Sequence, residues 1–483
     1  MTRSEVGTTL ATARSAAWRR LGTMAMLLAA AALPGCATEV RPDLERMYRA
    51  MSATADTTPV IVIPGLFGSK LRHRSTGVEV WPGPWSAVVF GDYHELALTF
   101  DPATLAVRPD DLEAFDIAER VLGQDFYGPL IDTLRRYAGY VRGVPGTPVP
   151  KGERRYYVLP YDWRQDNIVH AEALERLIDA IRRDYDDPEL RVDIVAHSMG
   201  GLIARYYLRY GTVDALDGSE QLVTLYGTTR VRKLVLLGTP NFGSVASLHA
   251  FIGGEPIGLG RIAPEILATM PSGYQLFPHP LVSWLIDADG NPLADSLFDG
   301  ATWRRYEWSV FDPRAAARAQ GLSGAEGGRY IDALHRYFDF RLERARRFAW
   351  MLSTQEPATP IRYVLFGGDC ALTPSRLLLE DEAGHPVARM GPEAVRGRKP
   401  GVRYEELMEE PGDGRVTKPS VLARDTLDPS VPQHEESFLP VAYWFFLCER
   451  HDRLTSNPSF QDNLLNVLLS RDLPWERTLM APR

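Results

Sequence analysis

Several patterns that mark whole classes of protein are missing from this chain. Only three cysteines occur among its 483 residues, and neither a His-Glu-x-x-His nor a Cys-x-x-Cys spacing is present, so we expect no metal site and no cofactor. Basic residues form no block and the formal net charge is −8, which argues against nucleic-acid binding. With 45% hydrophobic residues the chain is an ordinary globular protein. It is long enough for one large domain with insertions or for two domains.

The first 36 residues have the pattern of an export signal. Three arginines between positions 14 and 20 precede an apolar stretch over Leu21–Ala32. This stretch is shorter than a typical transmembrane helix and has the length of a signal-peptide core. The following Leu33-Pro34-Gly35-Cys36 is similar to the bacterial lipobox, whose cysteine is lipidated after cleavage. A plain signal peptide in which Cys36 is incidental is the alternative. We predict a signal peptide over 1–36, a linker over 37–57, and export, either to a bacterial cell envelope (periplasmic or lipid-anchored) or as a secreted protein.

Apolar, β-branched runs of strand length predict the sheet of the main domain. Several are continuous rather than alternating, which is typical of parallel strands buried on both faces. Helical patterns follow Asp166 and cover Leu202–Tyr210. This alternation predicts a doubly wound, mostly parallel α/β sheet, with one catalytic domain over residues 58–475. The runs are Val60–Ile63, Tyr156–Leu159, Val192–Val195, Leu234–Leu237, Tyr363–Phe366 and Val441–Leu447.

Two intervals are too long to be ordinary connections and predict folded insertions. One covers about 82–150 and the other about 245–355. The second is rich in aromatic residues and holds a glycine-rich stretch over Gly253–Gly260, which favours a cap with a mobile lid above an apolar site. The alternative is that most of these rings form the interior of the cap itself. The rings are Trp284, Phe298, Trp303, Tyr306, Trp308, Phe311, Tyr337, Phe338, Phe340, Phe348 and Trp350.

A candidate nucleophile follows the third strand run. The string Ala196-His197-Ser198-Met199-Gly200 is typical of a nucleophile elbow, in which a serine lies on a sharp turn between a strand and a helix. Such a turn requires small residues two positions before and after the serine, because the strand and helix backbones crowd together there. Gly200 fills one position, and Ala196 replaces the usual first glycine. Because short strings of this kind also arise by chance, the site further requires an oxyanion hole, an acid and a base.

A glycine-rich turn supplies the candidate oxyanion hole. Residues Pro64–Ser69 follow the first strand run, where α/β-hydrolases present a backbone N–H to an oxyanion, and the residue after the nucleophile presents the second. The donors would be the main-chain N–H groups of Phe67 and Met199. An ordinary strand-ending turn is the alternative for this segment.

The candidate acid and base come after the serine, in the chain order that α/β-hydrolases use. Asp413 lies in a tight Gly-Asp-Gly turn that can hold a carboxylate still. Of the two histidines downstream, His451 comes soon after the apolar run that ends at Leu447, where a triad histidine belongs. His434 lies in a polar stretch beside two glutamates. We therefore prefer His451 as the base.

Five blocks of sequence carry a resemblance to a known family. Pro160-Tyr161-Asp162-Trp163-Arg164 is the most specific of them. Over roughly residues 58–470 the chain resembles the lecithin:cholesterol acyltransferase family, which includes related phospholipases and phospholipid:diacylglycerol acyltransferases. Leu237–Ser244 is also similar to the family's block after the next strand. The five blocks are Pro59–Leu71, Tyr127–Leu130, Pro160–Arg164, Ala196–Gly201 and the C-terminal pair of acid turn and histidine.

The resemblance implies an α/β-hydrolase fold with a cap or lid insertion, and it assigns roles position by position. Ser198 matches the nucleophile, Asp413 the acid and His451 the base, and Asn457 keeps the family's spacing after the histidine. The oxyanion donors match as well. The chain departs from the family at Arg415, where a threonine or a second acidic residue is usual. No convincing match exists for the lid between Asn241 and Gly260, so substrate preference does not transfer.

The two cysteines outside the N-terminus also depart from the family's positions. Cys370 and Cys448 each follow the end of a predicted strand. If those strands are parallel neighbours about 5 Å apart, a disulfide is geometrically plausible and would brace the loop that bears His451. Two buried free thiols are the alternative.

Taken together, these features predict acyl transfer through an acyl-serine, with a phospholipid or other lipid ester as donor and a lipid or membrane surface as the place of action. Water as sole acceptor would make the protein an esterase, lipase or phospholipase, and an alcohol would make it an O-acyltransferase. A non-catalytic, lipid-binding surface lipoprotein on a hydrolase scaffold is the rival from another class.

Overall fold

A computed structural model describes residues 42–84, 91–121, 124–218, 222–323, 327–355, 359–424 and 439–470. The predicted signal peptide, with Cys36, and the alternative base His434 lie outside the described residues. None of the described helices combines the length and the apolar character needed to cross a membrane.

The described strands lie in one large sheet and several small ones. In chain order they are β1 (Val60–Ile63), β2 (Ser69–His73), β3 (Glu79–Trp81), β4 (Leu112–Ile117), β5 (Arg120–Val121), β6 (Gln124–Asp125), β7 (Val141–Arg142), β8 (Arg155–Val158), β9 (Val192–His197), β10 (Val231–Leu237), β11 (Glu255–Ile257), β12 (Gly260–Ile262), β13 (Leu285–Ile286), β14 (Arg362–Gly368), β15 (Ala371–Pro374), β16 (Leu377–Glu382), β17 (His385–Arg389), β18 (Glu409–Gly412) and β19 (Val441–Leu447).

The α-helices of the described residues lie between and around these strands. They are α1 (Leu44–Thr54), α2 (Gly128–Arg136), α3 (Asn167–Asp184), α4 (Met199–Tyr210), α5 (Val245–Gly253), α6 (Pro264–Leu267), α7 (Pro271–Tyr274), α8 (Gly300–Arg305), α9 (Pro313–Ser323), α10 (Gly327–Ser353), α11 (Tyr404–Met408), α12 (Lys418–Val421) and α13 (Pro458–Leu469).

The central sheet has seven strands in the order β19-β14-β10-β9-β1-β8-β7, and each neighbouring pair runs parallel. The predicted α/β-hydrolase-type doubly wound sheet is therefore confirmed. β1 and β9 are buried along their whole length, as continuous apolar runs in the middle of a parallel sheet should be. Because parallel strands end at the same edge, the turns after β1, β9, β14 and β19 meet there. This edge assembles the candidate site.

The segment predicted as a linker is partly helical. We predicted a linker over 37–57, but α1 occupies Leu44–Thr54 within it. Leu44 and Tyr48 are buried on one face of this helix, and the Tyr48 hydroxyl donates to Asp462 Oδ1 in α13 at 2.6 Å. The second half of the predicted linker is therefore part of the packed structure, because its apolar residues recur at helical spacing.

The long insertions are folded where the structure describes them. Residues of the first supply β4, the short hairpin β5–β6, α2 and the edge strand β7. The second contains α5 to α10, and its aromatic rings pack largely on one another, as Trp303 does on Phe277 and Phe338. Trp303, Tyr337 and Phe338 are fully buried. These rings form the interior of the insertion, which was the alternative interpretation of its aromatic content.

Candidate active site

Ser198 lies on a strained turn between β9 and α4. Its φ is 52° and its ψ −126°, a conformation that a residue with a side chain adopts only when its surroundings impose it. A Cβ at Gly200 would stand 2.4 Å from the Pro64 carbonyl oxygen, so only glycine fits there. Ala196 is buried within the strand, and its methyl group is accommodated. The local sequence thus folds as the predicted elbow.

Three side chains that are distant in sequence meet at this elbow. His451 Nε2 lies 3.0 Å from Ser198 Oγ, and His451 Nδ1 lies 2.7 Å from Asp413 Oδ2. The three residues come from the ends of β9, β18 and β19. The structure therefore brings together all three predicted side chains, with the imidazole between the hydroxyl and the carboxylate.

Asp413 is held by the turn that carries it. Its side chain is fully buried, and Oδ1 accepts from the backbone N–H groups of Arg415 at 2.9 Å and Val416 at 2.7 Å. Burial by itself raises the pKa of Asp413, but the facing His451 and these two N–H groups hold the pKa below its usual value. The backbone N–H of His451 also donates to the Asp413 carbonyl oxygen. Asp413 and His451 are thus joined by two hydrogen bonds, one between side chains and one between backbones.

The predicted oxyanion donors lie beside the serine. Phe67 has a φ of 62° and lines the cavity at Ser198, and Met199 directly follows Ser198 in the chain. Met199 is the first residue of α4, so its N–H has no acceptor within the helix and lies at the positive end of the helix dipole. These are the features expected of two main-chain donors to a developing negative charge.

Aromatic side chains hold the loop Pro64–Ser69, which we call the oxyanion loop. Tyr161 Oη donates to the Pro64 carbonyl at 2.8 Å, and Trp81 Nε1 donates to the Phe67 carbonyl at 2.8 Å. Trp163 Nε1 donates to the Ser69 carbonyl at 3.1 Å. Two of these three residues belong to the family-specific block Pro160–Arg164. Sequence reasoning gave that block no structural role, because its function depends on the tertiary approach of two loops.

A cavity of about 410 Å³ opens at the serine, a volume typical of sites for small molecules or acyl chains. Its lining is largely apolar, and the charged residues in it include Arg450 and Asp452, the chain neighbours of His451. A more open cleft of about 700 Å³ lies between α2 and the edge strands, and its lining contains no serine, cysteine or histidine. The chemistry therefore points to the smaller cavity. Its apolar lining includes Leu66, Phe67, Trp81, Ala250, Phe251, Leu267, Met270 and Leu276, and its charged lining includes Glu255, Arg415, Arg450 and Asp452.

The hairpin β11–β12 forms part of the cavity wall, and we call it the lid hairpin (Glu255–Ile262). Glu255 is 8% exposed, and its carboxylate pairs with the Arg415 guanidinium at 2.5 and 3.2 Å. Arg415 follows Asp413 by two residues, so this ion pair joins the lid hairpin to the turn that carries the predicted acid.

Cys370 and Cys448 are joined by a disulfide, with 4.8 Å between their Cα atoms. The strands that precede them, β14 and β19, are parallel neighbours, as expected. Cys448 lies three residues before His451, and β15, which begins directly after Cys370, pairs with β18, which leads into Asp413. The disulfide therefore lies between the segments that bear the acid and the base. Asn457, which matched the family's spacing, caps α13 by accepting from the N–H groups of Ser459 and Phe460.

Among the described residues, no cluster of three or more His, Cys, Asp or Glu side chains has an arrangement suited to a metal ion. The histidine that precedes the nucleophile, His197, was given no role from the sequence. Its ring centroid lies 4.8 Å from that of His451, and it is hydrogen-bonded to Tyr127.

A parallel sheet with a serine at a strand–helix elbow, and with a carboxylate and a histidine at the same edge, is the arrangement of the α/β-hydrolase fold. Residues 152–291 match the model of the lecithin:cholesterol acyltransferase family. The resemblance predicted from the sequence is thereby confirmed over a segment that includes the Pro160–Arg164 block, the elbow and the block after β10. No curated protein sequence gives a significant match to this chain.

A solved structure shares the fold of this chain. The crystal structure of a Tle4–Tli4 complex matches with a TM-score of 0.57 at 16% identity, covering 88% of this chain and 100% of that chain. The lipase of Staphylococcus hyicus matches at 14% identity with a TM-score of 0.30, covering 89% and 94% of the two chains. The mature Bacillus licheniformis lipase BlEst2 matches at 12% identity with a TM-score of 0.30, covering 86% and 93%. At 16% identity, the similarity to the Tle4–Tli4 structure shows a common fold and nothing about function.

Proposed function

We propose that this chain is a lipid acyl-ester hydrolase or O-acyltransferase that works through an acyl-Ser198 intermediate. The observation that carries the proposal is the hydrogen-bond chain from Ser198 through His451 to Asp413 beside a largely apolar cavity. The family match supports a lipid acyl ester as the donor, and a phospholipid is the donor that we favour.

In the first half-reaction His451 Nε2 takes the proton of Ser198 Oγ as that oxygen attacks the ester carbonyl carbon. The carbonyl oxygen becomes an oxyanion, which accepts hydrogen bonds from the N–H groups of Phe67 and Met199. The bond to the leaving alcohol then breaks, and the alcohol receives the proton from His451. Asp413 keeps the imidazole in the required tautomer and stabilises its protonated form.

In the second half-reaction an acceptor attacks the acyl-serine by the reverse of these steps. Water releases a fatty acid, whereas an alcohol forms a new ester. Both acceptors use the same triad and the same first half-reaction. Their balance therefore depends on which acceptor reaches His451 in the open cavity.

Labelling with a serine-reactive fluorophosphonate tests the nucleophile. We expect stoichiometric labelling of the wild-type protein and none of Ser198→Ala. The matched control is Ser353→Ala, because Ser353 Oγ also lies 2.9 Å from a histidine nitrogen, that of His279, but in the interior of the second insertion. Labelling that does not depend on Ser198 would refute the proposal: equal labelling of both proteins would place the reactive serine elsewhere, and no labelling of either would favour the non-catalytic lipoprotein.

Product analysis identifies the acceptor. The protein is incubated with phosphatidylcholine vesicles, with and without a long-chain alcohol, and free fatty acid and new ester are quantified. Fatty acid alone in both incubations would make the protein a phospholipase or esterase with water as sole acceptor. Ester that accumulates at the expense of fatty acid would make it an acyltransferase.

We also propose that the chain is exported and is anchored through a lipid on Cys36. The support is the arginine-led apolar stretch and the lipobox-like string before that cysteine. Metabolic labelling with palmitate should mark the wild-type protein and not Cys36→Ala. Equal labelling of the two would overturn the anchor, and retention of the protein in the cytoplasm would overturn export.

A further inference from the structure

A buried tyrosine and a buried histidine lie under the oxyanion loop. Tyr127 Oη is 2.8 Å from the backbone nitrogen of Gly65 and 2.8 Å from Nδ1 of His197. Tyr127 is 3% exposed and His197 8% exposed. Tyr127 opens the block Tyr127–Leu130, which carried the family resemblance without any role.

The direction of both hydrogen bonds follows from the number of protons. The Gly65 N–H can only donate, so the phenol oxygen accepts from it. Nδ1 of His197 is the acceptor that the structure places beside the single phenol proton, so we assign Tyr127 as the donor and Nδ1 as unprotonated. His197 is therefore neutral and carries its proton on Nε2. Burial, together with the nearby His451, lowers the pKa of His197 to about 3, which agrees with this assignment.

Gly65 is the point at which the oxyanion loop touches the nucleophile. A Cβ at Gly65 would stand 2.7 Å from Ser198 Cβ and 3.1 Å from His197 Nδ1. Phe67 follows only two residues later, so the place of its N–H depends on how Gly65 is seated. His197 directly precedes Ser198 in the chain. Tyr127 thus links the oxyanion loop, at Gly65, to His197, the residue before the nucleophile.

We propose that Tyr127 and His197 are positioning residues that seat the oxyanion loop against Ser198, so that the Phe67 N–H is aimed at the developing oxyanion. This inference rests on the proposed acyl-Ser198 function. It also gives the second histidine of the site a role other than that of a base, although its ring lies beside His451. Because the interaction is made through the loop, its loss should affect the transition state more than substrate binding.

The first test is Tyr127→Phe, which removes the hydroxyl and keeps the ring. We expect kcat for p-nitrophenyl butyrate to fall roughly 10- to 100-fold, with KM unchanged within about twofold, as for a misplaced oxyanion donor. The matched control is Tyr206→Phe. Tyr206 Oη also accepts from a backbone N–H, that of Ala215 at 2.7 Å, and donates to the Val213 carbonyl at 2.7 Å, away from the site. Equal effects of the two substitutions would overturn the proposal.

The second test uses the histidine. In His197→Asn the side-chain oxygen takes the place of Nδ1 and can still accept from Tyr127, whereas His197→Leu offers no acceptor. We expect His197→Asn to keep kcat within a few-fold of wild type and His197→Leu to match Tyr127→Phe. The double variant Tyr127→Phe/His197→Leu should be no worse than either single variant, because the two side chains act as a unit. Additive losses, or equal loss in His197→Asn and His197→Leu, would contradict the pairing.

Hydrogen exchange separates this inference from the proposed function. Amide exchange in the peptide that covers Pro64–Ser69 should speed up in Tyr127→Phe and stay unchanged in Tyr206→Phe, whether or not an ester is turned over. If Ser198 takes no fluorophosphonate, the proposed function fails, while faster exchange still supports the hold on the loop. Unchanged exchange together with unchanged kcat would overturn the positioning role in an active enzyme.

Discussion

At the scale of single residues, Asp413 uses both oxygens of its carboxylate, and this division fixes what it can do. Oδ1 is committed to two backbone N–H groups of its own turn, so Oδ2 is left pointing at His451. The turn closes at Gly414, whose φ of 90° suits glycine. The proposed acid is thus oriented by its own turn.

Substitution of this acid tests its role. Asp413→Asn keeps the shape but can place an N–H against Nδ1 of His451, which forces the proton onto Nε2 and leaves no base for Ser198. We expect kcat for p-nitrophenyl butyrate to fall about 10³- to 10⁴-fold. Asp56→Asn, a carboxylate paired with Arg232 away from the site, serves as the control and should change kcat little. A loss of less than about tenfold in Asp413→Asn would remove Asp413 from the triad.

The same carboxylate gives the fold a pH dependence of known sign. Although burial raises the pKa of Asp413, His451 and the turn hold it below the value of an unfolded chain. Such a group stabilises the fold above the unfolded pKa, about 3.9, and the stabilisation is lost as the pH falls through the folded pKa. The wild-type protein should therefore lose stability relative to Asp413→Asn below about pH 4. Urea unfolding between pH 3 and pH 7 measures the free energy of unfolding of both proteins. A stability advantage of the wild type over Asp413→Asn that grows as the pH falls would contradict the prediction.

At the scale of elements, an ion pair links the lid hairpin to the residue that follows the Gly412-Asp413-Gly414 turn. The Arg415 side chain reaches Glu255 in β11, while the Arg415 backbone N–H donates to Asp413. Leu259, at the tip of the hairpin, is 82% exposed. Arg415 therefore lines the cavity and also helps, through its backbone N–H, to orient Asp413.

Removal of the charge on Glu255 should loosen the hairpin. In Glu255→Gln we expect trypsin to cleave after Arg261 several-fold faster, because a buried carboxylate partner of Arg415 is replaced by a neutral amide. The control is Glu265→Gln, which breaks a comparable pair with Arg318 outside the hairpin. If both variants are cleaved at the wild-type rate, the ion pair does not hold the hairpin closed.

The elements of the sheet could be predicted from the sequence, whereas the contacts between loops could not. Val60–Ile63 and Val441–Leu447 were predicted with their observed bounds from their continuous apolar runs. Val60–Ile63 is buried along its length, whereas Val441–Leu447 is the edge strand of the sheet and only Leu447 in it is buried. The edge strand Val141–Arg142 has only two residues, both exposed, and leaves no such pattern. The approach of Tyr127 to Gly65, 62 positions earlier, and of Glu255 to Arg415 depends on tertiary structure. Neither pair has a signal in local sequence.

At the scale of the whole molecule, the residues of the site are spread over more than half of the chain. The proposed nucleophile, acid and base come from three different strand ends, and the disulfide joins the segments near the last two. The cysteines lie 78 positions apart, so the cross-link closes a long loop in the unfolded chain. Its effect is therefore expected on global stability as well as on the site.

Removal of the disulfide should lower the stability of the whole domain. For Cys370→Ser/Cys448→Ser we expect the free energy of unfolding to fall by about 2–4 kcal/mol, because the unfolded chain regains the freedom of that loop. Urea denaturation under oxidising conditions measures it. Dithiothreitol should produce a similar shift in the wild-type protein and little shift in the double variant. If dithiothreitol lowered the free energy of unfolding equally in both proteins, the loss would not come from the disulfide.

The position of the disulfide has a consequence for the covalent continuity of the site. Asp413 lies between the two cysteines, whereas Ser198 precedes both of them and His451 follows both. A protease that cuts one peptide bond between residues 371 and 447 would produce two fragments, each carrying part of the triad. The sulfur bridge would keep these fragments in one molecule. A nicked, two-chain form of this protein would thus retain all three triad residues until it met a reductant.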